Sequence, residues 1–231
     1  MKENLKRYIA SLLVVVIVAG IVPVATLADT FTSNVIGPLT LEEEEVDFGE
    51  PDPSADLESE EDFVASLHEV RLKGLPYNQR LLAVAETQLG YTESDVNFVV
   101  KEDEVTGKKA KFGITRYGQW YGLPYEDWCA MFISFCLHYG EVPNYLMPAD
   151  SGAFTWVNRL QSMELFRWRS EYNPKPGDLI FFDNDLSGQS DHVGIVSSLY
   201  TEDGVPMVET IEGNHSKTVE KFSYPLISLE I

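Results

Sequence analysis

The fold is decided by residues 128–140, which read WCAMFISFCLHYG. Apolar side chains occur on almost every side of a helix drawn from Cys129 to Tyr139, which is typical of a helix buried in the centre of a domain. Gly140 supplies a residue at which such a helix ends. The sequence therefore predicts a central buried helix with Cys129 in its first turn.

Helical patterns precede this segment and strand patterns follow it. A helix is predicted from about Asn78, where apolar residues recur at helical spacing up to Gly90, and the polar stretch 92–117 is expected to be a loop with a hairpin. After Pro176, strands are predicted over residues 178–183, 192–200, 205–212 and 218–224. Helices followed by an antiparallel sheet favour the α+β class.

The N-terminus has the composition of an export signal. Lys2, Lys6 and Arg7 precede an uncharged run from Tyr8 to Ala28, which predicts a signal peptide removed after Ala28. The run is also long enough to span a bilayer, so an uncleaved membrane anchor is the alternative. We expect residues 1–28 to be the signal peptide or anchor, 29–77 an acidic linker with a short helix, and 78–231 the catalytic domain.

The chain is strongly acidic, with a formal net charge of -20. Such a surface repels phosphate backbones, so we do not expect a nucleic-acid partner. Twelve acidic residues and no basic residue lie between Leu41 and Asp62, which predicts a disordered, solvated spacer. Apolar residues between Phe63 and Lys73 then predict a short amphipathic helix.

The two cysteines, Cys129 and Cys136, occupy different settings in the predicted helix. Seven residues separate them by ~10 Å along the axis, which is too far for a disulfide. Cys129 lies in the first turn, where free N–H groups and the helix dipole favour a reactive thiolate. Cys136 is expected to be a small buried apolar residue, and the same role is the alternative for Cys129.

A thiolate nucleophile needs a base, and the base needs a partner that fixes its tautomer. Among four histidines, His192 opens a strand directly after the turn that ends at Asp191, and Gly194 leaves space beside it. Glu212 and Asn214 are two apart at the end of the next strand, so both could face His192. Ordinary turn chemistry is the alternative for this pair.

Together these segments resemble one family. The motifs are 117–122 (YGQWYG), 128–132 (WCAMF), 175–182 (KPGDLIFF), 191–196 (DHVGIV) and 211–214 (IEGN). They resemble the CHAP family of cysteine, histidine-dependent amidohydrolases and peptidases, from about Leu81 to the C-terminus. The resemblance implies a papain-like α+β fold packed on an antiparallel sheet. It also implies an exported enzyme that cleaves peptidoglycan at the muramoyl-L-alanine amide or within the stem peptide or cross-bridge.

The resemblance also implies the roles of the site residues. Cys129 is the expected nucleophile, His192 the base and then the acid, Glu212 the residue that orients the imidazole, and Asn214 a supporting polar residue. We expect the aromatic side chains of Trp120, Tyr121 and Trp128 to form a substrate groove. NlpC-like peptidases also use a cysteine nucleophile and a histidine base. In that family a second histidine usually occupies the position where this chain has Glu212-Gly213-Asn214.

Neither a metal nor a cofactor is expected. Some relatives carry an Asp-rich calcium loop ahead of the nucleophile, where this chain has Lys108, Lys109 and Lys111. We expect a monomer whose partner is peptidoglycan and which meets a membrane only if the N-terminal segment is uncleaved. A catalytically silent muropeptide-binding module of the same fold is the alternative function.

Overall fold

The computed structural model describes residues 46–68, 70–104 and 106–226. The compact unit that contains the helices and strands runs from Asp47 to Ile231, so it begins well before the expected domain start near Asn78. The expected signal peptide or anchor, residues 1–28, lies outside the described residues, as do residues 29–45 of the expected linker. In the described part of the chain, none of the helices combines the length and hydropathy needed to cross a bilayer.

Five helices and six strands occur within the described residues. The helices are α1 (Glu60–Ala65), α2 (Tyr77–Thr87), α3 (Arg116–Tyr121), α4 (Cys129–Tyr139) and α5 (Ala153–Ser162). The strands are β1 (Phe98–Glu102), β2 (Lys109–Gly113), β3 (Leu179–Phe182), β4 (His192–Glu202), β5 (Val205–His215) and β6 (Thr218–Pro225). This mixture of helices with antiparallel sheets agrees with the predicted α+β class.

Helix α4 forms the centre of the domain. Every residue from Cys129 to Leu137 is buried. Helices α2 and α3 pack on α4, and the helix also packs on strands β4 and β5. A helix that is apolar all round needs neighbours on every side, and these four elements supply them.

The main sheet has the order β3-β4-β5-β6, with every neighbouring pair antiparallel. Phe182 pairs with His192 between β3 and β4, and Ile195 pairs with Ile211 between β4 and β5. Because β4 and β5 run in opposite directions, the beginning of β4 lies beside the end of β5. This pairing brings His192 and Glu212 to the same end of the sheet.

Most predicted elements occur in the structure. The helix from Cys129 to Tyr139 is confirmed, and the four predicted strands are confirmed as β3 to β6 with slightly different ends. The polar stretch contains the hairpin of β1 and β2. Helices α3 and α5 were not predicted. Helix α3 begins after the N-cap residue Thr115, whose hydroxyl accepts a hydrogen bond from the Gly118 N–H. The aromatic composition of this segment made the cap difficult to recognise, so the helix was not predicted from the sequence.

The prediction of a disordered spacer is wrong for its described residues. Residues 47–67, which we call the N-terminal strap, lie against the domain. The Glu58 carboxylate forms two 2.7 Å hydrogen bonds with the Arg116 guanidinium. The Asn97 amide donates to the carbonyls of Pro53 and Ala55. These partners compensate the acidic charge and the backbone polarity that composition alone leaves unsatisfied.

The short helix of the strap also begins earlier than expected. The Ser59 hydroxyl caps α1 by accepting from the Asp62 N–H, while the Asp62 carboxylate accepts from the Ser59 N–H. Phe63 is only 5% exposed and meets Phe135 of α4 edge to face, with ring centroids 6.2 Å apart. The strap therefore contributes a side chain to the hydrophobic core.

Candidate active site

Cys129 is the first residue of α4 and is 6% exposed. Trp128 is the N-cap residue, and its carbonyl accepts the first helical hydrogen bond from the Phe132 N–H at 2.8 Å. No side chain of the described residues caps this end of the helix. The N–H groups of the first turn therefore remain near the thiol, where they could stabilise negative charge. Cys136 is fully buried, and neither cysteine forms a disulfide, as predicted.

His192 is the first residue of β4 and contacts both other members of the expected triad. Its Nε2 atom lies 2.9 Å from Oε2 of Glu212. The imidazole also interacts with the Cys129 side chain, which is one of the groups that raise the pKa of His192. Nucleophile, base and carboxylate thus form one continuous chain of contacts.

The surroundings of His192 favour its protonated form. Burial opposes the charge, since the side chain is only 13% exposed. The hydrogen bonds and negative charges of Cys129 and Glu212 outweigh this effect and raise the pKa of His192 to about 10. An imidazolium paired with a thiolate is the resting state that a cysteine nucleophile needs.

Glu212 is a fully buried carboxylate whose two oxygens are both engaged. Oε2 contacts His192, and Oε1 accepts a short hydrogen bond from the Thr210 hydroxyl. Thr210 was not predicted as a site residue. It could have been predicted from its position two residues before Glu212, because residues two apart in a strand face the same side of the sheet.

Gly194 allows the Glu212 side chain to lie over β4. A Cβ atom added at Gly194 would come within 2.7 Å of Cγ of Glu212. The space that Gly194 leaves beside His192 is therefore occupied by the orienting carboxylate.

Asn214 does not contact His192 through any hydrogen bond of the described residues. Its side-chain amide instead donates to Oδ1 of Asp127 at 2.9 Å, and its backbone has a positive φ of 62°. Asp127 lies two residues before Cys129. Glu212 is therefore the partner of the imidazole, and Asn214 links the end of β5 to the segment that leads into the nucleophile.

Two further rings lie beside the imidazole of His192. The ring centroids of Phe182 and His215 are 5.7 Å and 5.8 Å away. His215 also packs on Phe222, with centroids 3.9 Å apart. These rings shield the base from solvent, and neither Phe182 nor His215 was predicted as a site residue. His138 instead packs on Trp120 at the other end of α4.

Of the three aromatic residues of the predicted groove, Trp128 is not available to substrate. Trp128 is fully buried and stacks on Tyr117, with ring centroids 5.1 Å apart. Trp120 packs on Phe135 and Tyr121, at centroid distances of 5.7 Å and 6.0 Å. Phe135 lies six residues after Cys129, about 9 Å along the helix axis. Trp128 therefore belongs to the core, whereas Trp120 and Tyr121 are partly buried beside the far half of α4, and their role in substrate binding stays a prediction.

Three carboxylates gather in the loop between β3 and β4. Oxygens of Asp183, Asp185 and Asp191 lie within 4.8 Å of one another, and oxygen is the ligand type that Ca²⁺ and Mg²⁺ take. These carboxylates also accept backbone N–H groups of the loop, including those of Asn184, Ser187 and Gly188. They hold the loop that leads into His192, and the absence of a metal stays a prediction.

Residues 119–214 match the family model of the CHAP domain. This chain carries a CHAP domain. The matched span contains Cys129, His192 and Glu212, so the geometry described above lies inside it, and the resemblance seen in the sequence is confirmed. Comparison with curated proteins and with solved structures gave no match.

A CHAP domain suggests hydrolytic activity of the amidase or peptidase type that is associated with cell-wall peptidoglycan. The matched span begins within α3 and ends within β5. The N-terminal strap, α2, the β1–β2 hairpin and β6 lie outside it, although all of them belong to the same compact unit.

Proposed function

We propose that this protein is an exported cysteine hydrolase with a papain-like arrangement that cleaves amide bonds in bacterial peptidoglycan. The observation that carries the proposal is the 2.9 Å contact between Nε2 of His192 and the buried Glu212 carboxylate, on an imidazole that also interacts with Cys129. A nucleophile, a base and an orienting group in contact are the minimum set for acyl transfer.

In the proposed mechanism, the Cys129 thiolate attacks the carbonyl carbon of the amide and forms a tetrahedral intermediate. His192 then gives its proton to the nitrogen as the carbon–nitrogen bond breaks, which releases the amine and leaves a thioester on Cys129. Neutral His192 next takes a proton from water, whose oxygen attacks the thioester and releases the carboxylic acid. Glu212 holds the ring in place and stabilises its positive charge, and Thr210 holds Glu212.

The helix N-terminus supports the charge that develops during this reaction. The tetrahedral intermediate carries a negative oxygen next to Cys129, where the first N–H groups of α4 have no side-chain cap. Donors that are already aligned stabilise such an oxyanion without reorganisation.

The alternative of a silent muropeptide-binding module is less well supported, because one of the three aromatic residues expected to dock the ligand is buried. Trp128 is buried, and Trp120 packs near the far end of α4. A module that only binds would also have no need for a buried carboxylate on a nearly buried imidazole, an arrangement that costs desolvation energy.

Digestion of purified sacculi tests the proposal and identifies the bond. Residues 29–231 are incubated with sacculi, and the soluble products are analysed by mass spectrometry. A new L-Ala amino terminus together with a free lactyl carboxylate identifies the amidase, whereas new termini within the peptide identify the endopeptidase. The matched control is Cys129→Ala. If both proteins release nothing beyond buffer alone, the proposed function is wrong.

A further inference from the structure

Glu93 connects the two halves of the candidate active site. Its side chain is only 6% exposed. Oε2 accepts a hydrogen bond from the indole N–H of Trp128 at 3.1 Å, and Oε1 accepts from Nζ of Lys217 at 2.8 Å. Oε1 also accepts from the N–H of Gly113 at 2.7 Å. One buried carboxylate thus holds three segments that are distant in the sequence.

The first of these segments carries the nucleophile. Trp128 precedes Cys129 directly and is the N-cap residue of α4. Its indole stacks on Tyr117, an apolar contact that resists sliding of the ring only weakly. The directional hydrogen bond to Glu93 fixes the remaining freedom of the indole in its own plane. The orientation of Trp128 in turn sets the position of the Cys129 backbone.

The second segment belongs to the strand pair that carries the base and its partner. Lys217 lies in the turn between β5 and β6, five residues after Glu212. The turn is tied to Glu93 a second time, because the Glu93 N–H donates to the Lys217 carbonyl at 2.9 Å. Nζ of Lys217 also donates to the carbonyl of Lys111.

Direct packing joins the same two segments next to this carboxylate. A Cβ atom added at Gly213 would come within 2.8 Å of both Trp128 and Phe132. The end of β5 therefore touches the start of α4, and Glu93 lies where a small rotation of either segment would change the distance from Cys129 to His192.

We infer that Glu93 is a positioning residue, which sets the geometry of Cys129 relative to His192 by holding Trp128 and Lys217 at the same time. The inference rests on the proposed function and adds a residue that lies outside the span matched by the CHAP domain. Displacements of about 1 Å can cost about 100-fold in rate when reacting groups are held in place.

The test compares Glu93→Gln with Trp128→Phe, which keeps the stacked ring and removes only the N–H donor. For each variant, kcat, KM, melting temperature and the pH profile of Cys129 alkylation are measured. Cys136 is fully buried, so alkylation reports on Cys129. We expect kcat to fall by about 10-fold to 100-fold with little change in KM. The alkylation profile should move to higher pH, because a displaced thiolate loses the imidazolium.

Glu93→Gln leaves one acceptor oxygen for the three donors around it, so it weakens the hydrogen bond that Trp128→Phe removes, and the losses in the double variant should be less than additive. Lys217→Met should reproduce part of the loss. Lys221→Met is the matched control, because Lys221 pairs with Glu209 on the same strand pair at 3.1 Å and does not reach Trp128. If Glu93→Gln fails to fold, Trp128→Phe alone decides the question.

Unchanged kcat and an unchanged alkylation profile in Trp128→Phe, with only a lower melting temperature, would overturn the inference. Independent, additive losses in the double variant would overturn it as well. Alkylation needs no substrate, so a wild-type protein that fails to digest sacculi refutes the proposed function without deciding the role of Glu93.

Discussion

Gly194 and Glu212 lie so close together that a Cβ atom at position 194 would approach Cγ of Glu212 to 2.7 Å. The position of the carboxylate that orients His192 thus depends on Gly194 of the neighbouring strand having no side chain. Glu212 is fully buried and already hydrogen-bonded through both oxygens, so it has no free space into which to move.

Gly194→Ala is therefore expected to displace Glu212 and misalign the imidazole. We expect kcat/KM to fall by about 10-fold to 100-fold and the free energy of unfolding to fall by about 1 to 3 kcal/mol from overpacking. Gly152→Ala is the control, because an added Cβ there meets only the Thr155 hydroxyl at 3.0 Å. Equal activities of the two variants in a sacculus assay would contradict this account of Gly194.

Substitution of the two cysteines should separate chemistry from packing. Cys129→Ala should abolish hydrolysis and leave the protein folded. Cys136→Ala should keep activity and lose about 1 kcal/mol of stability, because it removes one buried group. Burial raises the pKa of the Cys136 thiol well above its usual range, so this thiol should stay neutral and resist alkylation. An inactive, folded Cys136→Ala protein beside an active Cys129→Ala protein would reverse the assignment.

The raised pKa of His192 predicts how stability depends on pH. The folded-state pKa is about 10, above the unperturbed value of 6.5. The protonated ring therefore contributes stability that is fully present below pH 6.5 and is lost as the pH rises through about 10. We expect the wild-type melting temperature to fall over this range, and in Glu212→Gln we expect the fall to be smaller and to end at lower pH, because the folded-state pKa of His192 is then lower.

An NMR titration of the His192 ring measures this pKa directly. His138→Gln is the control, because His138 packs on Trp120 away from the site and its replacement should not move the His192 signal. A His192 midpoint near 6.5 in the wild-type protein would show that Cys129 and Glu212 do not hold the proton.

The N-terminal strap should contribute to stability although its composition suggests disorder. Phe63→Ala is expected to lower the free energy of unfolding by about 3 to 5 kcal/mol. Glu58→Gln should lower it by about 1 to 3 kcal/mol, because Arg116 loses a charged partner with two hydrogen bonds. Urea denaturation measures both changes.

Glu50→Gln is the matched control for Glu58→Gln, because it removes the same charge from an exposed position. Its effect should stay within about 0.5 kcal/mol. If both substitutions have the same effect, the ion pair between Glu58 and Arg116 does not hold the strap on the domain.

The sequence by itself determined the elements whose signals are local. The apolar run of α4 and the alternation in β3 to β6 depend on neighbours within a few residues, so helix, strands and the position of Cys129 in the first helical turn could all be predicted. The order of Cys129, His192 and Glu212 could be recognised from short motifs for the same reason.

Only the tertiary structure decided which polar and aromatic groups meet. Glu58 is 58 residues from Arg116, and Glu93 is 35 residues from Trp128. A pattern within a few residues cannot predict contacts between groups so far apart in the sequence. The sequence therefore predicted a disordered acidic strap and an exposed Trp128. A carboxylate's solvation and an indole's exposure depend on what the folded chain places beside them, and that information is absent from the spacing of the residues themselves.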